Sequence, residues 1–374
     1  MMDFEIVIVG AGAIGLSVAK SLSDISDNIC IIEKNTQFGQ ETSSRNSEVV
    51  HSGIYYPENS LKSKLCIEGS ALLYDYCLTK NIKHEKCGKL IIANGVEQVD
   101  YLNVLKRKAT SLKLDSSFLC KEELSDFEPL VNADSAIYLK NTGIIDSHSF
   151  MSELYNEIVI NRTNIVFKTK VVNVKKISNG YLIKIKNPDS TFSKFSTKIL
   201  INCSGLYSSQ IASSLEPFRL KKIDNHFWKG SYFQINNKLA SSIKRLIYPV
   251  PDKEMHSLGI HTTKSLDGRV KLGPDSEYIG SLANFDYSVK DQKRKSFYKS
   301  GKKYLPFLEL EDLSPDFSGI RPKLQGPNDQ VKDFYIKNEE SRDLPNFINL
   351  LGIESPGLTS ALAIGNYVRG LIKI

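Results

Sequence analysis

Gly10, Gly12 and Gly15 follow the apolar run Phe4–Val9, and Glu33 closes the next apolar run, Asn28–Ile32. At a strand-to-helix turn the first glycine permits the tight bend. The second lets the backbone approach a pyrophosphate, and the third allows close helix–strand packing. The helix opening there, with Ala13 and Ile14 in its first turn, offers free N–H groups and the positive end of its dipole to phosphate. Glu33 stands about 20 residues further on, where a carboxylate accepts ribose hydroxyls, and Lys34 follows it. Strand, helix, second strand and acid together read as a dinucleotide site, against the bland alternative of a structural turn. The fingerprint does not separate NAD from FAD, although its place near the start of a chain of this length favours a flavin.

Two distal segments suit the same cofactor. Ile199–Gly205 reads as a buried strand ending in the small residues Ser204 and Gly205, which can pass close under a dinucleotide. Gly352–Thr359 predicts a strand end and a helix start, so that Gly357, Leu358 and Thr359 place N–H donors where a flavin carbonyl could accept them. Helix capping alone explains that segment equally well. Arg321, between Gly319-Ile320 and Pro322, sits in a rigid strand-end context. Its guanidinium can grip a carboxylate through two parallel hydrogen bonds or serve a structural ion pair. His51 and His261 are candidate bases, because imidazole titrates near neutrality, or else packing side chains. No HExxH or Ser-His-Asp signature is present, so no metal, hydrolytic or acyl-transfer site is expected.

Holding these groups requires elements from the whole chain. Helices are expected at residues 97–111, 122–127 and 290–303, and another after Asp146 and Ser147, which are cap candidates. A hairpin turns at Asn179-Gly180. His226–Ile235, Arg245–Pro251, Leu258–Thr263 and Arg269–Gly273 read as antiparallel strands, with a turn at Asp267-Gly268. The expected fold is α/β: a Rossmann-like cofactor domain (residues 1–80, 143–217 and 317–374) interleaved with an antiparallel β-sheet substrate domain (81–142 and 218–316).

A length of 374 residues accommodates two joined domains, and 41% hydrophobic with 24% charged residues is ordinary for a globular protein. Six cysteines without a CxxC pair read as reduced thiols of a cytoplasmic protein. The net charge of +7 is densest at Gln292–Lys303, which reads as a solvated helix face. Aromatic residues are not interleaved there as nucleic-acid binding requires, so no nucleic-acid partner is expected. A basic balance also suits an anionic substrate or peripheral contact with an anionic membrane surface. The opening residues lack the features of a signal peptide, and Glu354 and Pro356 interrupt the apolar C-terminal stretch, which rules against a membrane span there.

Six segments in order, Thr42–Pro57, Leu65–Cys77, Ile201–Ser208, Leu258–Asp275, Gly319–Pro327 and Gly352–Gly365, resemble the FAD-dependent oxidoreductases of the D-amino-acid oxidase-like superfamily. They are most similar to the L-2-hydroxyglutarate dehydrogenase/oxidase family. The chain departs from that pattern at Asp275, where the family carries Asn, and at Met255, His256 and Ser257. The resemblance implies FAD as cofactor, with Thr42, Ser43, Ser44, Arg45 and Asn46 wrapping it and the backbone of Val172 contacting its adenine. It implies Arg321 as the carboxylate clamp, with Tyr55 and Lys323 available to a second carboxylate. His261 is then the first choice for the base and His51 for the flavin side. The implied reaction is oxidation of a small L-2-hydroxy carboxylate, L-2-hydroxyglutarate first, by hydride transfer to flavin N5. An amine or amino-acid oxidase, a glycerol-3-phosphate dehydrogenase-like enzyme and a redox-sensing module without turnover stay open. So does the electron acceptor: oxygen, a quinone or an electron-transfer protein.

Overall fold

The computed structural model describes residues 2–216, 223–251, 259–280 and 285–373. The first strand, β1 (Phe4–Val9), has Ile6, Val7 and Ile8 fully buried, so both of its faces are covered. That is what a continuous apolar run in a parallel sheet requires. It pairs in parallel with β2 (Ile29–Ile32) on one side and with the long strand Phe192–Asn202 on the other. Asn202 and Ile32 both align with Val9, so the carboxyl ends of the three strands share one edge. In open α/β sheets ligands bind at that edge.

Phe192–Asn202 changes partners along its length. Its first half pairs antiparallel with Gly180–Lys186, the return strand of the hairpin turning at Asn179-Gly180. Its second half runs parallel to β1 and to Phe347–Leu351. Nine strands join in this sheet. Helix α1 (Ala13–Leu22) covers one face and packs against the last helix, Ala361–Leu371. A Cβ on Gly365 would stand 2.5 Å from the Ser17 carbonyl oxygen, so this crossing depends on a glycine. Helix α2 (Leu61–Thr79) begins at Ser60, whose side chain accepts the Ser63 N–H. The Asp333 carboxylate accepts the Leu61 and Lys62 N–H groups at 2.6 and 2.9 Å, satisfying donors that a helix start leaves free.

The second layer centres on His226–Ile235, which pairs antiparallel with Leu313–Lys323 from His226↔Lys323 to Ile235↔Leu313. That partner strand runs across residue 317, so Arg321 and Lys323 stand on the second-layer sheet. Thr262–Lys264 and Val270–Leu272 form the expected hairpin around Asp267-Gly268. One strand differs from expectation. Leu246–Pro249 pairs in parallel with Lys89–Ala93, within a separate four-stranded sheet. Leu246, Ile247 and Tyr248 are all buried, the two-sided burial typical of a parallel strand rather than of a half-exposed antiparallel one. The basic run forms helix Arg294–Lys302, which buries only Phe297 and Gly301. Five of the six cysteines are buried, and Cys120 is exposed.

Candidate active site

Where β1, β2 and Phe192–Asn202 end, the chain encloses a cavity of about 760 Å³ that runs from the glycine turn to the second-layer sheet. Sites for small ligands and cofactors fall in the range of roughly 300–1,000 Å³. At the glycine turn, a Cβ on Gly10 would meet the Cys203 carbonyl oxygen at 2.6 Å, and one on Gly15 would meet the Gly10 carbonyl oxygen at 1.9 Å. Gly12 caps α1, and the Ala13 N–H donates to Ser43 Oγ at 3.0 Å. Glu33 is buried and accepts the Ala11 and Asn35 N–H groups, each at 2.8 Å, one per carboxylate oxygen. Each oxygen keeps a lone pair for a ribose hydroxyl. Lys34 pairs with Glu41 and lies 4.5 Å over the Tyr207 ring.

Val172 lines the cavity at a bulge: Val171 and Asn173 pair with consecutive residues of the facing strand and Val172 with none. Its peptide groups are thereby released from the ladder. Gly205, at φ +53°, has no heavy atom within 4 Å of a would-be Cβ, leaving an open cradle beside Ser204. The Thr42–Asn46 loop locks onto the second layer. Thr42 Oγ1 donates to the Ile320 carbonyl at 3.3 Å, Arg45 lies 4.1 Å over the Tyr287 ring, and Asn46 Nδ2 donates to the Ser43 carbonyl at 2.7 Å.

Two expected members do not line the cavity. Gly15 serves helix packing, and Ser44 is exposed with its hydroxyl donating to the Glu41 carbonyl at 3.1 Å. The final helix begins at Ala361, not at Gly357. Thr359 explains the delay: its Oγ1 donates to the Val49 carbonyl at 3.2 Å and accepts the His51 N–H at 3.0 Å, tying a turn to strand β3 (Val49–Val50). Gly357, Leu358 and Thr359 still line the cavity, from that turn rather than from a helix cap.

At the far end stand His51, Tyr55, Tyr248, His261, Arg321 and Lys323. His261 Nδ1 donates to the Gly259 carbonyl at 2.9 Å, since a carbonyl can only accept, and its Nε2 is thereby left with a free lone pair. Its ring stacks on Tyr248 at 3.7 Å. His51 Nε2 lies 3.2 Å from Ser355 Oγ. Burial, then the Lys89 charge, pushes the His51 imidazole down to about 3. Burial likewise pushes His261 down to about 3, with Lys89 and Arg321 adding to it. Arg321 donates from Nη2 to the Asp275 carbonyl at 3.0 Å and to Ser276 Oγ at 3.4 Å. Its buried Nε has no partner, and among the described residues it makes no ion pair. Asp275 is held by Ser231 N–H and Lys293, both at 2.7 Å, so the residue that departs from the family pattern supplies Arg321 with its main-chain anchor. Met255, His256 and Ser257 lie outside the described residues.

A buried ion cluster on the cavity wall has no counterpart among the expected site groups. Lys62 Nζ meets Glu354 at 2.9 Å and Lys323 Nζ approaches it at 3.9 Å. Burial alone would raise the Glu354 carboxyl, but the two lysines outweigh it and hold the group below its ordinary range. Lys89 is a second omission, a buried cation under the far end. Neither carries a local signature, since their partners come from remote segments.

The FAD dependent oxidoreductase family matches residues 5–371, nearly the whole chain. The chain belongs to the FAD-dependent oxidoreductase family. This oxidoreductase is 36% identical to the mitochondrial L-2-hydroxyglutarate dehydrogenase of Arabidopsis thaliana, over 97% of this chain and 82% of the relative. It is 30% identical to the L-2-hydroxyglutarate dehydrogenase of Indibacter alkaliphilus, over 98% of each. Its fold is similar to that of dithionite-reduced L-alpha-glycerophosphate oxidase from Mycoplasma pneumoniae with FAD bound, at a TM-score of 0.87 and 27% identity, over 100% of this chain and 95% of that one. It is an FAD enzyme, and the glycine turn, the released Val172 backbone and the open cradle at Gly205 fit that cofactor. Among the described residues no helix is long and apolar enough to cross a membrane.

Proposed function

We propose that this oxidoreductase oxidises a small L-2-hydroxy carboxylate, L-2-hydroxyglutarate first, to the corresponding 2-oxo acid. The observation that carries the reading is Arg321: a guanidinium with no ion pair among the described residues and an unspent Nε–H, on the same cavity wall as an imidazole whose Nε2 lone pair is free. Gly10, Gly12, Ala13, Ile14 and Ser43 would hold the FAD pyrophosphate, Glu33 the ribose and Val172 the adenine. Ser204, Gly205 and the Gly357–Thr359 turn would line the remainder. When bound, FAD supplies the two-electron acceptor for the hydride leaving the α-carbon. Arg321 orients the α-carboxylate through its planar fork. His261 Nε2 takes the hydroxyl proton as the carbonyl forms, because Nδ1 is committed to Gly259. His51, fixed by Ser355, stands as the second imidazole.

The relatives named as L-2-hydroxyglutarate dehydrogenases support the substrate class. The likeness to a glycerophosphate oxidase keeps a phosphate-bearing alcohol as the rival. Anaerobic mixing with L-2-hydroxyglutarate, L-2-hydroxybutyrate, L-glutamate and glycerol 3-phosphate, following loss of the oxidised flavin absorbance, decides between them. Bleaching by the amino acid or the phosphate alone rejects the proposal. Oxygen, a quinone or an electron-transfer protein then serves as acceptor from the cytoplasm or a membrane surface, and steady-state turnover with each distinguishes them.

A further inference from the structure

Lys89 is 1% exposed on the strand Lys89–Ala93 and has no ion-pair partner among the described residues. A buried ammonium without a counter-ion is expensive, and most proteins avoid it. Here its Nζ lies 5.0 Å over the Tyr55 ring and 4.8 Å over the Tyr248 ring. Such contacts recover part of the lost hydration but do not neutralise the charge. Both tyrosines line the far end of the cavity, and both hydroxyls are buried without a hydrogen-bond partner. Two unpartnered phenol donors therefore stand at the far end of the cavity with a positive charge against both of their rings, a combination that suits an anion. Lys323, the other candidate for that work, already shares Glu354 with Lys62.

Resting on the hydroxy-acid reading above, we propose that Tyr55, Tyr248 and Lys89 form the receptor for a second acidic group on the substrate, remote from the oxidised carbon. The two phenols donate to that group directly, and Lys89 is the positioning charge behind them. His261, the proton acceptor, stacks on Tyr248 and so stands beside the ring that Lys89 underlies, and it shares the cavity lining with Arg321. A substrate carrying an acidic group on each side of its hydroxyl carbon matches that order of charges; a monocarboxylate fills only one. Burial lowers Lys89 to about 8, so it still carries its proton at neutral pH. The neighbouring Cys66 thiol, pushed up to about 12 by burial, provides no negative charge to offset it.

The test uses the FAD-loaded enzyme and Lys89→Met, which keeps the length, removes the charge and relieves a buried cation, so folding is not at risk. With L-2-hydroxyglutarate, KM should rise about tenfold or more, the KM for L-2-hydroxybutyrate should not move, and any change in kcat from losing the charge near His261 should be the same for both acids. Tyr55→Phe and Tyr248→Phe should reproduce this split with smaller rises. An equal rise in KM with both acids, or no rise with either, overturns the receptor. A second arm needs no turnover: binding of glutarate and of butyrate is followed through the flavin absorbance. Wild-type preference for glutarate that disappears in Lys89→Met supports the receptor even if no hydroxy acid is oxidised. Equal affinities in wild type overturn it even if one is. Loss of the preference in Lys323→Met but not in Lys89→Met also overturns it.

Discussion

Replacing Arg321 by Lys keeps the charge and removes the planar fork. In the structure Nη2 is already committed to the Asp275 carbonyl and Ser276, while Nε is buried and unpartnered. A bound carboxylate would therefore be met by the unspent side of the guanidinium while the other side stays anchored to the Asp275 loop. A lysine ammonium cannot do both: pointing at the substrate it leaves the Asp275 carbonyl, and pointing at the carbonyl it leaves the substrate. The loss is one charge-assisted contact, about 1.5–3 kcal/mol. At about 1.4 kcal/mol per factor of ten, kcat/KM for a hydroxy acid should fall roughly ten- to a hundredfold. The assay is steady-state kinetics with the FAD content measured on the same sample. FAD should be retained, since no cofactor-end contact is altered. If kcat/KM stays within about twofold of wild type, Arg321 is a structural residue and the argument from its unspent donor fails.

Gly12→Val would place its Cβ 2.8 Å from Ser43 Oγ, displacing the hydroxyl that holds the Ala13 N–H and filling the approach to the pyrophosphate. Purified wild type should be yellow with one FAD per chain, and the variant should lose that colour. His261→Ala should slow flavin reduction by roughly 10²–10⁴-fold with FAD content intact, whereas His51→Ala should alter the flavin spectrum more than the rate. Stopped-flow reduction of both variants checks this, and the assignment falls if neither slows. Because both imidazoles are pushed from the usual 6.5 to about 3, they stay neutral in the folded protein while the unfolded chain binds protons below 6.5. Stability should therefore be lost as pH falls through that window, by about 1.4 kcal/mol per pH unit and histidine, measured by urea unfolding at pH 7 and 5.5. Glu354→Gln strands two buried lysines and should cost about 3–5 kcal/mol in the same unfolding assay. An unchanged midpoint would show that solvent reaches the cluster.

What the chain declares in its sequence is what its neighbours in sequence determine. Gly10, Gly12, Gly15 and Glu33 lie within one strand–helix–strand unit, and the turns at Asn179-Gly180 and Asp267-Gly268 are set by their own residues. The Asp146 cap, which accepts the Ser149 N–H at 2.9 Å, was readable for the same reason. The parallel pairing of Leu246–Pro249 with Lys89–Ala93 was not, because it joins segments far apart in the chain and an apolar run does not state the direction of its partner. The Lys62–Glu354 pair and the isolated Lys89 were hidden likewise. Lysine and glutamate at such positions read as ordinary surface residues until the fold buries them. The helix start at Ala361 was misjudged because Thr359 bonds to Val49 and His51, residues no local rule could connect to it.

The contact between α1 and the last helix bears on how this protein is made. The glycine turn opens α1, but the helix that covers α1, with Gly365 seated on Ser17, follows every other described element in sequence. The strand Phe347–Leu351, which completes the sheet beside Phe192–Asn202, and the turn that carries Gly357–Thr359 also follow the whole second layer in sequence. Chains commonly fold from the N-terminus in finished units during synthesis. Here the unit around β1 stays incomplete until the strand Phe347–Leu351 and the helix Ala361–Leu371 have been made, so the apolar face of α1 must wait for them. The cofactor cavity, which the Gly357–Thr359 turn helps to line, is complete only once those later segments have joined the sheet.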